Sequence, residues 1–429
     1  MNLSFGLGES QALDIVRACV ASKLPFHSLP NDDVDLVGTG ALDSMGWVDT
    51  LIGIESAASI RDFGNPWPDD RPKSIRALAD MIREVQKATP DESLQVGTRQ
   101  QADGERDIAV GGWGHALGSS VVDAEQIERT LALPMHKIQD GAGIQSVRIA
   151  ADGEDELVLG QRAAEIAMDM AEVPFEKFDF LVATSTTFLG LPSFAASLHS
   201  RLLLRETCGA LDVGGACAGL IYALAVAKNL LRTKPDGVAL VVAAEVHSHR
   251  LNAPRVPGEF RGLFGDGACA FVLTNGSNAG RKDRVRLREF VWGCSGTLAS
   301  SLRVKTSESG ELEIQCKGEQ LAHAAITELD RIIGMLESLS AKPRSEVDSF
   351  ALHQPNPRAI EILAEKARIP LERIPLISKT CGNLGSVTCG ASLCQALTNL
   401  HVSGDHLRLP LIFMAAVAPG LLWGGAFLN

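Results

Sequence analysis

Tyrosine occurs once in 429 residues, and Phe, Trp and Tyr together make up only 5% of the chain. With so little aromatic bulk, the core must close on Ala, Gly and Val, which implies strands and helices packed at short range. Positive charge is also scarce: 40 Lys and Arg stand against 52 Asp and Glu, a formal net charge of −12, with no basic stripe. That balance argues against a nucleic-acid partner. The nine cysteines include no CxxC pair and no Cys/His spacing suited to zinc, so no metal is expected. Most lie in apolar runs, where a reduced cysteine is a small hydrophobe, a usage that fits the cytosol. MNLSFGLGES at the start lacks a positive segment and a long apolar core, so no signal peptide is expected and a cytoplasmic location is read. One run, Leu409 to Leu428, is nearly all apolar, but Pro410, Pro419, Gly420, Gly424 and Gly425 divide it. Two buried strands joined by a turn are expected there, and no membrane span.

What is present is patterned in two ways. Residues 1–88 read as a small all-α unit. One helix covers Ser10 to Ser22 with Leu13, Val16 and Val20 on a face. Another starts near Ser44 and buries Val48, Leu51 and Ile52. A third runs from Ser74 to Lys87 through Ile75, Leu78, Ile82 and Val85. Residues 89–106 are polar, with Pro and Gly and little to bury, and read as a linker whose ends lie about 25 Å apart. From 107 to 429 helices alternate with apolar strands at Phe178–Val182, Val238–Ala244, Ser349–Leu352 and Leu411–Ala416. This predicts a layered α/β domain with a largely parallel core. EKFDFLVATST (176–186) resembles SEVDSFALHQP (346–356), and GDGACAFVLTN (265–275) resembles LLWGGAFLN (421–429). Two halves of like construction, about 107–275 and 280–429, account for both echoes.

The chemistry concentrates in three places. In LDVGGACAGLIYALAVAKNLL (211–231) a short strand leads through small residues to Cys217 at the start of a helix. There the helix dipole favours a thiolate, and Gly215, Ala216, Ala218 and Gly219 leave room for an acyl chain. A buried packing cysteine is the bland alternative; nucleophilic catalysis is comparably supported. His353, in ALHQPNPRAI, closes a buried strand at the edge where α/β sites form, and Asn383 lies in a Gly-flanked turn before a helix. Either alone is an ordinary capping or turn residue. With Cys217 they make a nucleophile and donors for a thioester carbonyl.

On GACAGLIYAL, FGDGACAFVL, HQPNPRAI, GNLGS and WGGAFLN, residues 107–429 resemble a β-ketoacyl-ACP synthase III-type condensing enzyme of the thiolase superfamily. The resemblance implies a five-layered, duplicated thiolase-like α/β fold, a homodimer, and acyl thioester substrates on a carrier protein or CoA. Cys217 is then the acyl-accepting nucleophile, with His353 and Asn383 stabilising the enolate of a malonyl-type extender. Residues 1–88 are similar to acyl or peptidyl carrier proteins. GALDSMGWVDTLIGIE is nearest to the Asp-Ser-Met form of D-alanyl carrier proteins. This implies that Ser44 bears 4′-phosphopantetheine, attached by a phosphopantetheinyl transferase. Helix capping by Asp43 or Ser44 shares that geometry and does not compete with it.

Three departures qualify the resemblance, one being the fusion itself, since the two modules are usually separate proteins. Before GIQSVR (143–148), where acyl-CoA-primed relatives carry an adenine-stacking tryptophan, stand His136 and Lys137, which points to a carrier-borne acyl group. Ala418-Pro419-Gly420 replaces a triple-glycine turn, and Pro419 has no N–H to offer an oxyanion. The expected function is a carrier-fused condensing enzyme of lipid or polyketide-type biosynthesis. The rivals are a non-condensing acyltransferase using the same cysteine and a non-catalytic scaffold subunit.

Overall fold

The computed structural model describes residues 7–24, 29–60, 71–87, 107–251, 256, 260–275, 285–296, 302–306, 312–402 and 409–429. The linker expected over 89–106 lies outside the described residues.

Three helices build the N-terminal unit: α1 (Glu9–Lys23), α2 (Ser44–Ala58) and α3 (Ile75–Lys87). On α1 the helical period aligns Ala12, Val16 and Val20 in the core, so Ala12 takes the place predicted for Leu13, which is only half-buried. Leu78 and Ile82 of α3 meet Trp47, Leu51 and Ile54 of α2, while Val85 stays half-buried. The apolar residues of α2 divide between two cores. Trp47, Leu51, Ile54 and Ala58 face α1 and α3, whereas Val48 and Ile52 join the core of the large domain.

The first half of the large domain contains β1 (Ala109–Leu117), β2 (Ser120–Asp123), α4 (Ala124–Thr130), α5 (Gln139–Ala142), β3 (Ser146–Ile149), α6 (Glu156–Ala171), β4 (Phe180–Thr184), α7 (Phe194–Arg201), β5 (Gly209–Asp212), α8 (Gly219–Arg232), β6 (Val238–Val246), α9 (Ser248–Leu251) and β7 (Asp266–Thr274). The second half contains β8 (Leu287–Cys294), β9 (Leu302–Thr306), β10 (Leu312–Cys316), α10 (Gly318–Ser340), β11 (Ser349–Leu352), α11 (Pro357–Ala367), α12 (Ser378–Cys381), α13 (Val387–Val402), β12 (Ile412–Ala418) and β13 (Leu422–Leu428).

Two sheets organise these elements, in orders β1-β7-β6-β4-β5 and β11-β12-β13-β8. In the first, β4 pairs parallel with β6, β6 antiparallel with β7, and β7 antiparallel with β1. In the second, β11 pairs parallel with β12, β12 antiparallel with β13, and β13 antiparallel with β8. Apart from β5, which is parallel to β4 and has no counterpart beside β11, the duplication read from the sequence echoes is therefore present, in four strands of each sheet. The largely parallel core is not: both sheets are mixed, because the last strand of each half turns back antiparallel beside its predecessor. The apolar tail at 409–428 forms β12, a turn and β13, as its glycines and prolines required.

Alternation along the strands sets the layers. Ile412, Met414 and Ala416 of β12 point to a central core shared with α8 and α13, while Phe413, Ala415 and Val417 point to an outer core with α10 and α11. In β6, Ala239, Val241 and Ala243 face the same centre, and Leu240, Val242 and Ala244 face α6 and α7. The order is helices, sheet, α8 with α13, sheet, helices. The N-terminal unit adds α2 to the outer α10/α11 layer.

Candidate active site

Cys217 occupies the middle of a short 3-10 turn, Ala216–Ala218, that runs directly into α8. Ala216 is held at φ 46°, a left-handed conformation costly for a residue with a Cβ, immediately before the cysteine. The glycine collar is fixed by packing as well as by access. A Cβ on Gly215 would come within 2.8 Å of the Gly219 Cα, and one on Gly219 within 2.4 Å of Thr184 Oγ1 on β4. The residue is half-buried, yet burial pushes its thiol up to about 12, and the nearby Glu245 carboxylate pushes the same way. Both effects, desolvation first and then the like charge, run against the thiolate that the helix start is expected to favour.

His353 follows β11 directly, and its N–H donates to Ala415 O of β12 at 2.8 Å, extending the ladder. Just beyond it Asn356 caps α11, accepting from Ala359 N at 2.9 Å, and Pro357 opens the helix where no N–H is needed. The chain therefore turns sharply after His353 and fixes its ring at the sheet edge. Burial pulls the imidazole down to about 4, opposed by an interaction with the Gly385 backbone and reinforced by His247. The ring is neutral at physiological pH, and its Nδ1 is buried with no hydrogen-bond partner among the described residues.

Asn383 is held through its backbone: its N–H donates to Leu263 O at 2.8 Å and its carbonyl accepts from Gly265 N at 3.0 Å. Its Oδ1 accepts from Gly385 N at 2.9 Å. That leaves the Nδ2 group as the donor it can present. Gly385 thus touches Asn383 and His353, and next to it Ser386 donates to Glu245 at 2.6 Å, the carboxylate whose charge reaches Cys217. The turn therefore gathers His353 and Asn383, and Cys217 is linked to it through Glu245, which Ser386 holds.

Glu245 and His247 belong to the same place, and the sequence reading does not single them out. Glu245 is fully buried at the end of β6 and accepts from Thr186 N at 3.0 Å, Thr186 Oγ1 at 2.7 Å and Thr187 N at 3.2 Å. The available signal is a carboxylate inside the otherwise apolar VVAAEV.

Ser44 is remote in sequence and exposed at the first position of α2. The capping role falls to Asp43, which accepts from Gly46 N at 2.7 Å, so the Ser44 hydroxyl enters no hydrogen bond among the described residues. Asp43 also receives Arg358 Nη1 of α11 at 2.7 Å. Burial raises the Asp43 carboxyl, but that guanidinium and the Gly46 N–H outweigh it and hold the group below the usual range. Arg358 lies in the first turn of the helix that begins beside His353, so Ser44 stands on the side of the domain where His353 closes its strand. Further along α2, Glu55 is buried against His323 Nε2 at 2.9 Å and Lys366 Nζ at 3.4 Å. Lys73 pairs with Glu319 at the margin. Burying Val48 and Ile52 contributes about 1.5–3 kcal/mol each. The partly exposed Asp43–Arg358 pair contributes about 0–1 kcal/mol. The apolar pair holds the two units together, and the charges fix their orientation.

Layered, duplicated halves of this kind define the thiolase-type condensing-enzyme fold. The crystal structure of 3-oxoacyl-[acyl-carrier-protein] synthase III from Aquifex aeolicus VF5 superposes with a TM-score of 0.67 at 26% identity, covering 75% of this chain and 99% of that one. A crystal structure of Xanthomonas campestris OleA, at 20% identity and TM-score 0.66, covers 75% of this chain and 98% of its own and shares the fold. The family description 3-oxoacyl-[acyl-carrier-protein (ACP)] synthase III matches residues 211–296, and its C-terminal counterpart matches 340–429. β-Ketoacyl-[acyl-carrier-protein] synthase III of Sodalis glossinidius is 30% identical over 322 residues, 74% of this chain and 98% of that protein. The Rhodospirillum centenum protein of the same name is 31% identical over 327 residues, 74% and 97%. The chain belongs to the β-ketoacyl-ACP synthase III family. Among the described residues no helix is long and apolar enough to cross a membrane.

Proposed function

We propose that the chain is a carrier-fused condensing enzyme of lipid or polyketide-type biosynthesis. The observation that carries this reading is the gathering of His353 and Asn383 at the Gly385 turn, with Cys217 linked to it through Glu245, in a member of this family. In the loading step the Cys217 sulfur attacks a thioester carbonyl and the new S–C bond replaces the old one. The departing thiol takes the proton that Cys217 gives up. In the condensing step a malonyl-type thioester loses CO2, and the electron pair left behind attacks the acyl carbon. The Cys217 S–C bond then breaks, and the sulfur recovers a proton from solvent. Negative charge develops on the extender's thioester oxygen, where a neutral His353 ring and the Asn383 amide can donate to it.

The surroundings of Ser44 fit 4′-phosphopantetheine: an exposed hydroxyl at a helix start, with capping delegated to Asp43 and a guanidinium alongside. When bound, that group supplies the thiol on which an acyl or malonyl unit is carried, and a phosphopantetheinyl transferase is the partner required to install it. Asp43, Arg358 and the Val48–Ile52 stripe orient α2 so that the serine stays on the His353 side. Tethering keeps the local concentration of carrier near the millimolar range. A second copy is the other partner. Among the described residues the outer edge of β5 is unpaired and exposed. Leu189 and Leu191, 75% and 97% exposed, precede α7, whose Ala195 N–H is bonded to Asp212 of β5.

Non-condensing acyl transfer is favoured by one observation. Pro419, without an N–H, opens the turn between β12 and β13, the hairpin packed beside the Cys217 turn. Release of CO2 from a malonyl thioester by the Cys217-acylated enzyme separates the two. Stoichiometric CO2 supports condensation, and acyl transfer without CO2 rejects it.

A further inference from the structure

His247 follows β6 and is 8% exposed, packed against Phe264 with ring centroids 5.0 Å apart. Its Nε2 is buried and has no hydrogen-bond partner among the described residues. Leaving such a group unpaired costs about 1–3 kcal/mol, so a protein that keeps one has a use for it. Its position tells what that use is. A Cβ on Gly385 would lie 2.4 Å from His247 Nε2, so the nitrogen sits directly over the residue that holds Asn383 and touches His353. Glu245 and His247 are two apart at the end of one strand and share a side, and Glu245 is the carboxylate whose charge reaches Cys217.

Glu245 does not satisfy His247. Its Oε2 is 3.9 Å from the nitrogen and already receives three donors from Thr186 and Thr187. That charge also decides what can bind. Directly beside His247 another anion would meet a like charge, whereas a neutral hydroxyl or keto oxygen would not.

Building on the condensing reading, we propose that His247 is a specificity-determining residue that hydrogen-bonds a neutral oxygen on the acyl group delivered to Cys217, so that the enzyme selects oxygenated acyl thioesters over plain alkyl ones of equal length. A hydroxyl suits either tautomer of the ring, since it can donate or accept.

The test compares acylation of Cys217 by 3-hydroxybutyryl- and butyryl-thioesters in the full chain, in His247→Leu and in His247→Gln, with melting curves as a check on folding. The wild type is expected to favour the hydroxylated donor at least tenfold in single-turnover kcat/KM. In His247→Leu the ratio of the two donors should fall toward one, and His247→Gln should recover part of the preference. An unchanged ratio in His247→Leu, or a wild type that discriminates less than twofold, overturns the proposal. If neither donor acylates Cys217, the condensing reading fails. The relative dissociation constants of the two non-transferable thioether analogues then decide the role of His247 by the same criteria.

Discussion

The two functional regions treat solvent in opposite ways. Around Cys217 every polar group of note is buried: His353 and Asn383 are 5% and 7% exposed, and Glu245 is fully enclosed. At the N-terminal unit the serine is exposed, its neighbour takes the cap, and the buried charge, Glu55, is spent on the contact with α10 and α11. In the proposed reaction the first region withdraws its donors from water, so that each interacts more strongly with developing charge. The second keeps its serine accessible, as the proposed carrier role requires, and is tied down by a helix face that an isolated three-helix unit would leave wet.

Substitutions can break this contrast. Cys217→Ala should abolish acylation and condensation, a loss of at least about 1,000-fold, without altering modification at Ser44; intact-protein mass and a CO2-release assay read both. His353→Ala and Asn383→Ala should each cost about 100–1,000-fold in decarboxylation of a malonyl thioester while leaving the Cys217 thiol available for loading. Substitution at the docking face should act on delivery alone. Ile52→Asp should slow transfer from the tethered carrier about tenfold or more while free thioesters react as before. Arg358→Gln, which removes a partly exposed pair, should change transfer by only a few fold.

The burial of His353 also has a pH signature. Its value in the folded protein, about 4, lies below the ordinary 6.5, so between those values the unfolded chain binds the extra proton. Its contribution to stability is complete above pH 6.5 and is lost as pH falls toward 4. Thermal denaturation of the wild type and His353→Gln at about pH 7.5 and about pH 5 should show a smaller acid-induced drop in Tm for the variant. The same burial keeps the ring neutral in that window, so no inflection from His353 is expected near pH 6.5 in decarboxylation.

The parts of the molecule legible in sequence are those set by local pattern. The apolar run at 349–352 marks β11 to the residue, the glycines and prolines of 409–428 announce the β12–β13 hairpin, and the paired echoes anticipate the two matching sheets. Strand direction is not legible, because an apolar run reads alike beside a parallel or an antiparallel partner; hence the mixed sheets correct the parallel expectation. On α2 the pattern marks Val48, Leu51 and Ile52 as buried but cannot say that Leu51 faces one core and its neighbours another. At the site, Cys217, His353 and Asn383 each carry a local cue, a helix start, a strand end or a glycine turn. Glu245 and His247 matter through contacts made across the fold, with the Thr186 loop and the Gly385 turn. The upward push on the Cys217 thiol escapes local reading for the same reason, since its burial, and after it the Glu245 carboxylate, come from elsewhere in the fold.

The most direct test of the central claim is intact-protein and peptide mass mapping after incubation with a phosphopantetheinyl transferase and an acyl-CoA. A 4′-phosphopantetheine mass on Ser44, followed by migration of the acyl mass to Cys217 and absent from Ser44→Ala, is the predicted result. A wild type that never gains mass at Ser44, or acylation of Cys217 that proceeds equally well in Ser44→Ala, would contradict it.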